Sequence, residues 1–232
     1  VYVKHASVTL TVAGTTAPTL TTPTATSITA TGATLGATVT ANGGAALTSR
    51  GTVWGTAASP TGNVLAEGGT TVAAFSHART GLTANTTYTY RGYAINSVGT
   101  SYSADGTFTT LPAAPTVGSG SGATDNSFTA NWSHPTQGAA SYTYEVQVST
   151  NNSTWASPIN VMGISSSNAS ASITGLAAGT TYYYRVLARN ATGAGDWSAS
   201  SAAIATTSSY TAPSITSSAA TSVSSATGTM NG

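Results

Sequence analysis

The residues of this chain that could do chemistry are few and scattered. The acids are Glu67, Asp105, Asp125, Glu145 and Asp196, and the histidines are His5, His77 and His134. A two-carboxylate hydrolase needs both groups in one cleft, about 5–10 Å apart. These acids fall singly on turns and strands far apart in sequence, which predicts solvated turn residues. Serines abound, yet there is no Gly-x-Ser-x-Gly elbow and no His–Asp pairing. His134 precedes Pro135 and reads as a loop residue. No His/Asp cluster has ligand spacing, so no metal and no cofactor are expected. The expectation is a protein that is not an enzyme.

Aromatic faces are the other reactive surface, because flat rings can stack on sugars. The candidates are Trp155, Trp197, Tyr93 and Tyr102. Trp197 lies in Gly-Ala-Gly-Asp-Trp-Ser, which suits a loop and strand start, and Tyr93 can simply cover a sheet. Arg50-Gly51-Thr52 is not the Arg-Gly-Asp adhesion tripeptide. Asn-x-Ser/Thr sites occur at Asn85, Asn131, Asn151, Asn152, Asn168 and Asn190. They matter only where the host glycosylates exported proteins.

The elements that must position these residues come from composition and pattern. Charged residues make up 5% of the 232, against roughly 25% in an average soluble protein. The net charge is +1, so no basic face invites nucleic acid or anionic lipid. Hydrophobic residues are 40% of the chain. They arrive as short alternating runs, and none approaches the roughly 20 residues of a membrane helix. Cysteine is absent, which excludes a disulfide framework. The Thr/Ser-rich, charge-poor composition points to the extracellular space or a cell surface, of the bacterial kind.

One stretch recurs. Gly81 to Gly99 reads GLTANTTYTYRGYAINSVG, and Gly175 to Gly193 reads GLAAGTTYYYRVLARNATG, at an offset of 94 with no gap. A repeat near 100 residues has the size of one β-sandwich. Around it the chain divides into four parts. In residues 1–14, Val8, Leu10 and Val12 alternate with polar neighbours, as the last strand of a preceding domain would. Residues 15–110 form a first complete domain. There Ala33, Leu35, Ala37 and Val39 alternate, followed by strands over Leu47 to Trp54, Val72 to Ala78 and Thr107 to Thr109. Residues 111–207 form a second. Its strands carry Phe128, Ala130 and Trp132, then Tyr142, Tyr144, Val146 and Val148, then Ala169, Ala171 and Ile173. Residues 208–232 are a linker and a third start, because ATSVSSATGTMNG from Ala220 resembles ATSITATGATLGA from Ala25. Short strands between turn residues, without helical periodicity, predict an all-β sandwich. The chain reads as a segment of something longer.

These residues carry a resemblance. Both complete domains resemble fibronectin type III domains of bacterial secreted and surface proteins, through the run Gly-Leu-x-x-x-Thr-x-Tyr-x-x-Arg-x-x-Ala-x-Asn-x-x-Gly. The resemblance implies tandem fibronectin type III-like β-sandwiches. It makes Tyr88 and Tyr182 the tyrosine corners, beside Leu82 and Leu176. It implies that Tyr90, Gly92 and Ala94 point inward, as do Tyr184, Val186 and Ala188, while Arg91 and Arg185 point out. Trp132 matches the core tryptophan of the family. The first domain departs from the pattern: it lacks that tryptophan, has Gly92 where the family has Val, and carries Trp54 on a later strand to fill the gap.

The function expected is that of a non-catalytic structural segment, a stalk or filament piece of a long extracellular or cell-surface repeat protein. Its partners would be neighbouring domains of the same chain or further copies, since so few charges leave little repulsion between sandwiches. The outward row Arg91, Tyr93 and Ile95 is the contact surface expected. The alternatives are an adhesion module for a glycan or surface protein, and a spacer in a secreted carbohydrate-degrading enzyme.

Overall fold

A computed structural model describes residues 14–209. His5, the strand expected around Val8 to Val12, and the third start from Ala212 on lie outside them. The described residues form sixteen β-strands and no helix. The first nine are β1 (Thr19–Leu20), β2 (Thr24–Thr26), β3 (Gly32–Ala41), β4 (Ser49–Gly55), β5 (Leu65–Ala66), β6 (Ala74–Thr80), β7 (Thr87–Ile95), β8 (Thr100–Tyr102) and β9 (Gly106–Thr109). The other seven are β10 (Thr116–Val117), β11 (Ser127–Ser133), β12 (Tyr142–Ser149), β13 (Ile159–Ser165), β14 (Ser170–Thr174), β15 (Thr181–Asn190) and β16 (Ile204–Ala205).

All pairings are antiparallel, and they make two sandwiches. In the first, β1 and β2 flank β3, which also pairs β6; the facing sheet runs β5-β4-β7, with β8 and β9 both along β7. The second repeats the plan as β10-β11-β14 facing β13-β12-β15-β16. Alternation decides which side chains enter the core, because successive residues of a strand face opposite ways. Ala33, Leu35, Ala37 and Val39 of β3 are all buried, as are Tyr90 and Ala94 of β7 and Tyr184, Val186 and Ala188 of β15.

Serine replaces strand pairing along β15. Val186 and Tyr184 donate their N–H groups to the hydroxyls of Ser198 and Ser201, both at 2.9 Å. The N–H groups of these serines return to the same residues' carbonyls at 2.8 Å. In the first sandwich Ser103 does this for Gly92. A buried backbone group without a partner would be costly, and the hydroxyl supplies one where the edge strand leaves the ladder.

Each sandwich is closed at one loop. The hydroxyl of Tyr88 accepts the Thr83 N–H at 2.9 Å, and that of Tyr182 accepts the Ala177 N–H at 3.0 Å. Leu82 and Leu176 are buried beside them.

The two cores differ. The second is one cluster around Phe128, Trp132, Tyr144 and Tyr184, whereas the first is split in two. The strand registers explain the split. Arg50, Thr52 and Trp54 of β4 oppose Ala94, Gly92 and Tyr90, where Tyr144, Val146 and Val148 of β12 oppose Ala188, Val186 and Tyr184. Trp54 packs edge-on against Tyr88, with ring centroids 5.1 Å apart. Gly92 sits directly against Ala37 of the facing sheet.

Tyr182→Phe removes the corner acceptor and leaves the Ala177 N–H unpaired, which costs about 1 kcal/mol or somewhat more. A lowered thermal midpoint with an unchanged fold is expected, and an unchanged midpoint would contradict it. Gly92→Ala drives a methyl into Ala37 and should cost about 1–3 kcal/mol of stability. Adding Ala37→Gly should recover part of that loss in urea titration.

Candidate functional site

The acids are spread over the molecule and mostly paired. Glu67 bonds Arg50 at 2.8 Å, Asp105 lies 3.6 Å from Arg91, and Glu145 lies 3.3 Å from Arg189. Asp105 also accepts the Ser59 N–H at 2.7 Å. Asp125 and Asp196 are exposed. His134 bonds the hydroxyl of buried Tyr144 at 2.7 Å. Among the described residues no three His, Cys, Asp or Glu side chains gather in a way that could hold a metal ion.

The aromatic candidates are engaged as well. Arg185 stands between Trp155 and Trp197, its guanidinium carbon 4.5 Å and 4.4 Å from the two ring centroids. Gln147 holds the same guanidinium through two N–H groups at 2.9 and 2.7 Å. One face of each tryptophan is thus committed to a cation–π contact. Arg91 likewise lies over Tyr102 at 4.4 Å.

The row Arg91, Tyr93 and Ile95 is not an open contact surface. Tyr93 is 3% exposed. Its ring lies across β4 at Gly51, where a Cβ would collide with it, and its hydroxyl reaches Ser49. A glycine opposite a tyrosine lets the outward ring fold flat onto the neighbouring strand. Ile95 is half-buried, and Arg91 is held by Tyr102, Asp105 and the Ser103 carbonyl.

Two groupings were not anticipated from the sequence. The first is a polar seam inside the first sandwich. Phe75, His77 and Arg79 of β6 oppose Ala37, Leu35 and Ala33, so Arg79 occupies the register position of Ile173 in β14. Arg79 is buried; it donates from Nε and Nη2 to the Thr52 hydroxyl and from Nη2 to the carbonyls of Thr52 and Asn63. Burial lowers its pKa to about 10. The Thr52 hydroxyl has one proton to give. Since it already accepts from Arg79, it donates to His77 Nε2 at 2.7 Å. His77 is therefore a neutral acceptor, and burial, reinforced by Arg79, lowers its pKa. Glu67, which faces the seam from the end of β5, has its pKa lowered by its bond to Arg50. The signal for this seam was present as polar residues on the inward parity of β4 and β6.

The second grouping is the junction between the sandwiches. Asn85, in the loop between β6 and β7, is fully buried and has a left-handed backbone, φ 48°. Its carboxamide donates to the carbonyls of Gly138 and Ala140, in the β11–β12 loop of the second sandwich. Its oxygen accepts from Asn190 Nδ2 at 3.0 Å. Backbone bonds run alongside, Gly138 N–H to the Ala84 carbonyl at 2.8 Å and Ala140 N–H to the Asn85 carbonyl at 3.2 Å. Asn190 also donates to the Thr110 carbonyl, and Thr192 to that of Thr109. Gly138 packs so closely on Asn85 and Thr86 that a Cβ would collide. Of the six glycosylation sequences, Asn85 and Asn190 thus have their amides engaged with each other, while Asn151, Asn152 and Asn168 are exposed.

Comparison with known proteins places the second sandwich. Residues 113–204 match the family model described as Fibronectin type III domain. No curated protein matches the chain. Among solved structures the chain is similar to the FN1–FN3 domains of chicken CNTN1, at 18% identity over 83% of this chain and 69% of that one, with a TM-score of 0.42. It is also similar to a structure described as a myokine, at 16% identity over 41% of this chain and 98% of that one, with a TM-score of 0.35. The fold is all-β, of fibronectin type III-like sandwiches, and domains of this family are typically non-catalytic structural or binding modules.

The seam makes the first sandwich acid-sensitive. The unfolded chain protonates His77 near pH 6.5, whereas the folded chain does so only at lower pH. Protonation therefore favours unfolding, and stability falls as pH drops through 6.5, levelling off below the folded pKa. Glu67 stabilises the fold above its ordinary value of 4.5, and this contribution is lost as pH falls through its lowered folded pKa. Melting midpoints between pH 7.5 and about 5 should fall less steeply in His77→Gln than in the parent. Equal slopes would remove His77 from the account.

Proposed function

We propose that this chain is a non-catalytic structural segment, a stalk or filament piece of a longer extracellular or cell-surface repeat protein, whose partners are neighbouring repeats of the same chain. The observation that carries this reading is the junction. The two sandwiches meet end to end, through the β6–β7 corner of the first and the β11–β12 and β15–β16 loops of the second, with Asn85 and Asn190 bonded across it. The upper end of the first sandwich carries the same device. Asn96, ninety-four residues before Asn190, donates to the Thr16 carbonyl at 2.7 Å as Asn190 does to Thr110. Its oxygen accepts from Val98 and Gly99, as that of Asn190 does from Thr192 and Gly193. The ends of these sandwiches are thus built to receive a chain and hold it.

The setting outside the cell rests on the fibronectin type III match and on the hydroxyl-rich composition. An end-to-end array needs length more than any surface chemistry. Replacing this segment in its parent protein by unrelated sandwiches of equal number should preserve function, while deletion should impair it. Loss of function on replacement at equal length, with recovery on restoring Trp155 and Trp197, would instead support a binding module.

A further inference from the structure

The lower corners of the two sandwiches are built bond for bond alike, with one difference. In the first, Thr110 Oγ1 donates to the Thr83 carbonyl and accepts the Thr86 N–H, and the Asn85 N–H meets the Leu111 carbonyl. In the second, Thr206 Oγ1 donates to the Ala177 carbonyl and accepts the Thr180 N–H, and the Gly179 N–H meets the Thr207 carbonyl. The left-handed residue is Asn85 in one corner, φ 48°, and Gly179 in the other, φ 59°. Everything that makes the corner is shared. The carboxamide that reaches the next sandwich is not.

The upper ends show the matching change. Asn96 spends its second N–H within its own sandwich, on the Asn42 carbonyl at 2.8 Å. Asn190 gives that N–H to Asn85 instead. The Asn85 side chain therefore satisfies two carbonyls and one amide of its neighbour from a position 0% exposed. A buried amide so placed is orienting, because any tilt of one sandwich against the other leaves its donors and acceptor buried and unpaired.

We infer that the corner at residues 82–86 is an orientation-specific docking surface for the upper end of a sandwich of the second kind, and that Asn85 is its specifying residue. It reads two carbonyls in the β11–β12 loop and a carboxamide N–H of the asparagine that opens the Asn-x-x-Gly turn. The joint it makes is locked. The corner at Gly179 has the same backbone without the amide. That corner has no counterpart to the Asn85 carboxamide. The two corners thus differ in grade, one built to lock a neighbour and one without the locking group, and a single side chain sets the difference. This goes beyond the stalk reading, since a stalk of loosely jointed sandwiches would still be a stalk.

The chain lacks cysteine, so two spin labels can be placed uniquely, at the exposed positions Ala57→Cys and Asn152→Cys. Electron–electron distance measurement on the labelled 232-residue chain should give one narrow distribution. Asn85→Gly copies the second corner into the first and keeps a residue suited to the left-handed backbone. In that variant the narrow peak should be lost to a broad one, while the amide chemical shifts of both sandwiches away from the junction stay in place. A distribution already broad in the parent, or a narrow one kept by Asn85→Gly, overturns the inference. Global loss of the folded amide spectrum in Asn85→Gly would overturn it too, since it would make Asn85 a residue of the fold and not of the joint.

Discussion

The structure depends on one constraint, that the loop entering β7 or β15 must reverse direction and still satisfy its buried backbone groups. Gly81 and Gly175 begin the reversal with left-handed backbones, φ 72° and 75°. The leucine next in the chain anchors the loop in the core, and a tyrosine six residues on reaches back with its hydroxyl to the N–H after the leucine. A threonine of the outgoing chain then fastens the far side, Thr110 in one sandwich and Thr206 in the other. The same loop that closes each sandwich also forms its lower end. Folding and end-to-end contact therefore meet in the same loop.

A chain with 5% charged residues must find its polar partners elsewhere. It finds them in hydroxyls and carboxamides. Ser103, Ser198 and Ser201 are buried and stand in for a strand along β7 and β15. Asn85, Asn96 and Asn190 join loops that share no ladder. Neutral groups of this kind cost less to bury than ions, provided each is bonded. The polar seam of the first sandwich is the exception, and its cause is volume. With Ala37 and Gly92 standing at the centre, the space beside them is filled from β4 and β6 by long side chains, Arg50, Arg79 and His77. Their heads then bond one another's neighbours, Thr52 above all.

The fold was largely legible in the sequence because its determinants are local. The alternation of Ala33 to Val39 and of Tyr182 to Ala188 fixes the inward faces, and the exact return of the Gly81 stretch at Gly175 marks two sandwiches of one plan. Tyr93 takes the outward face that its parity gives, but parity says only which face a residue takes. Whether that face is covered depends on Gly51 across the ladder, a long-range pairing. The seam escaped for a similar reason, since Thr52 gains its meaning only from Arg79 and His77, twenty-five or more residues on. The junction was hidden most deeply. Asn85 belongs to the repeated stretch and aligns with Gly179, so a comparison of repeats scores it as mere variation, although it is the one position where the corners differ in reach.

Edges and ends are treated differently in this molecule, and that difference decides how neighbours can meet it. Exposed edge strands invite further strands, and charge is the usual guard. Here shape does the guarding. β5 is two residues long, and β13, seven residues without a charge, is broken by a bulge where Met162 and Gly163 oppose Glu145. Gly163 takes a left-handed backbone there, φ 71°, which bends the strand out of line for a partner. The ends carry no such obstruction. Their glycines bring backbone to backbone, Gly138 on Asn85 and Gly195 on Pro112, at distances that a side chain would forbid. Blunted along their sides and cleared where they meet, these two sandwiches join end to end and not edge to edge.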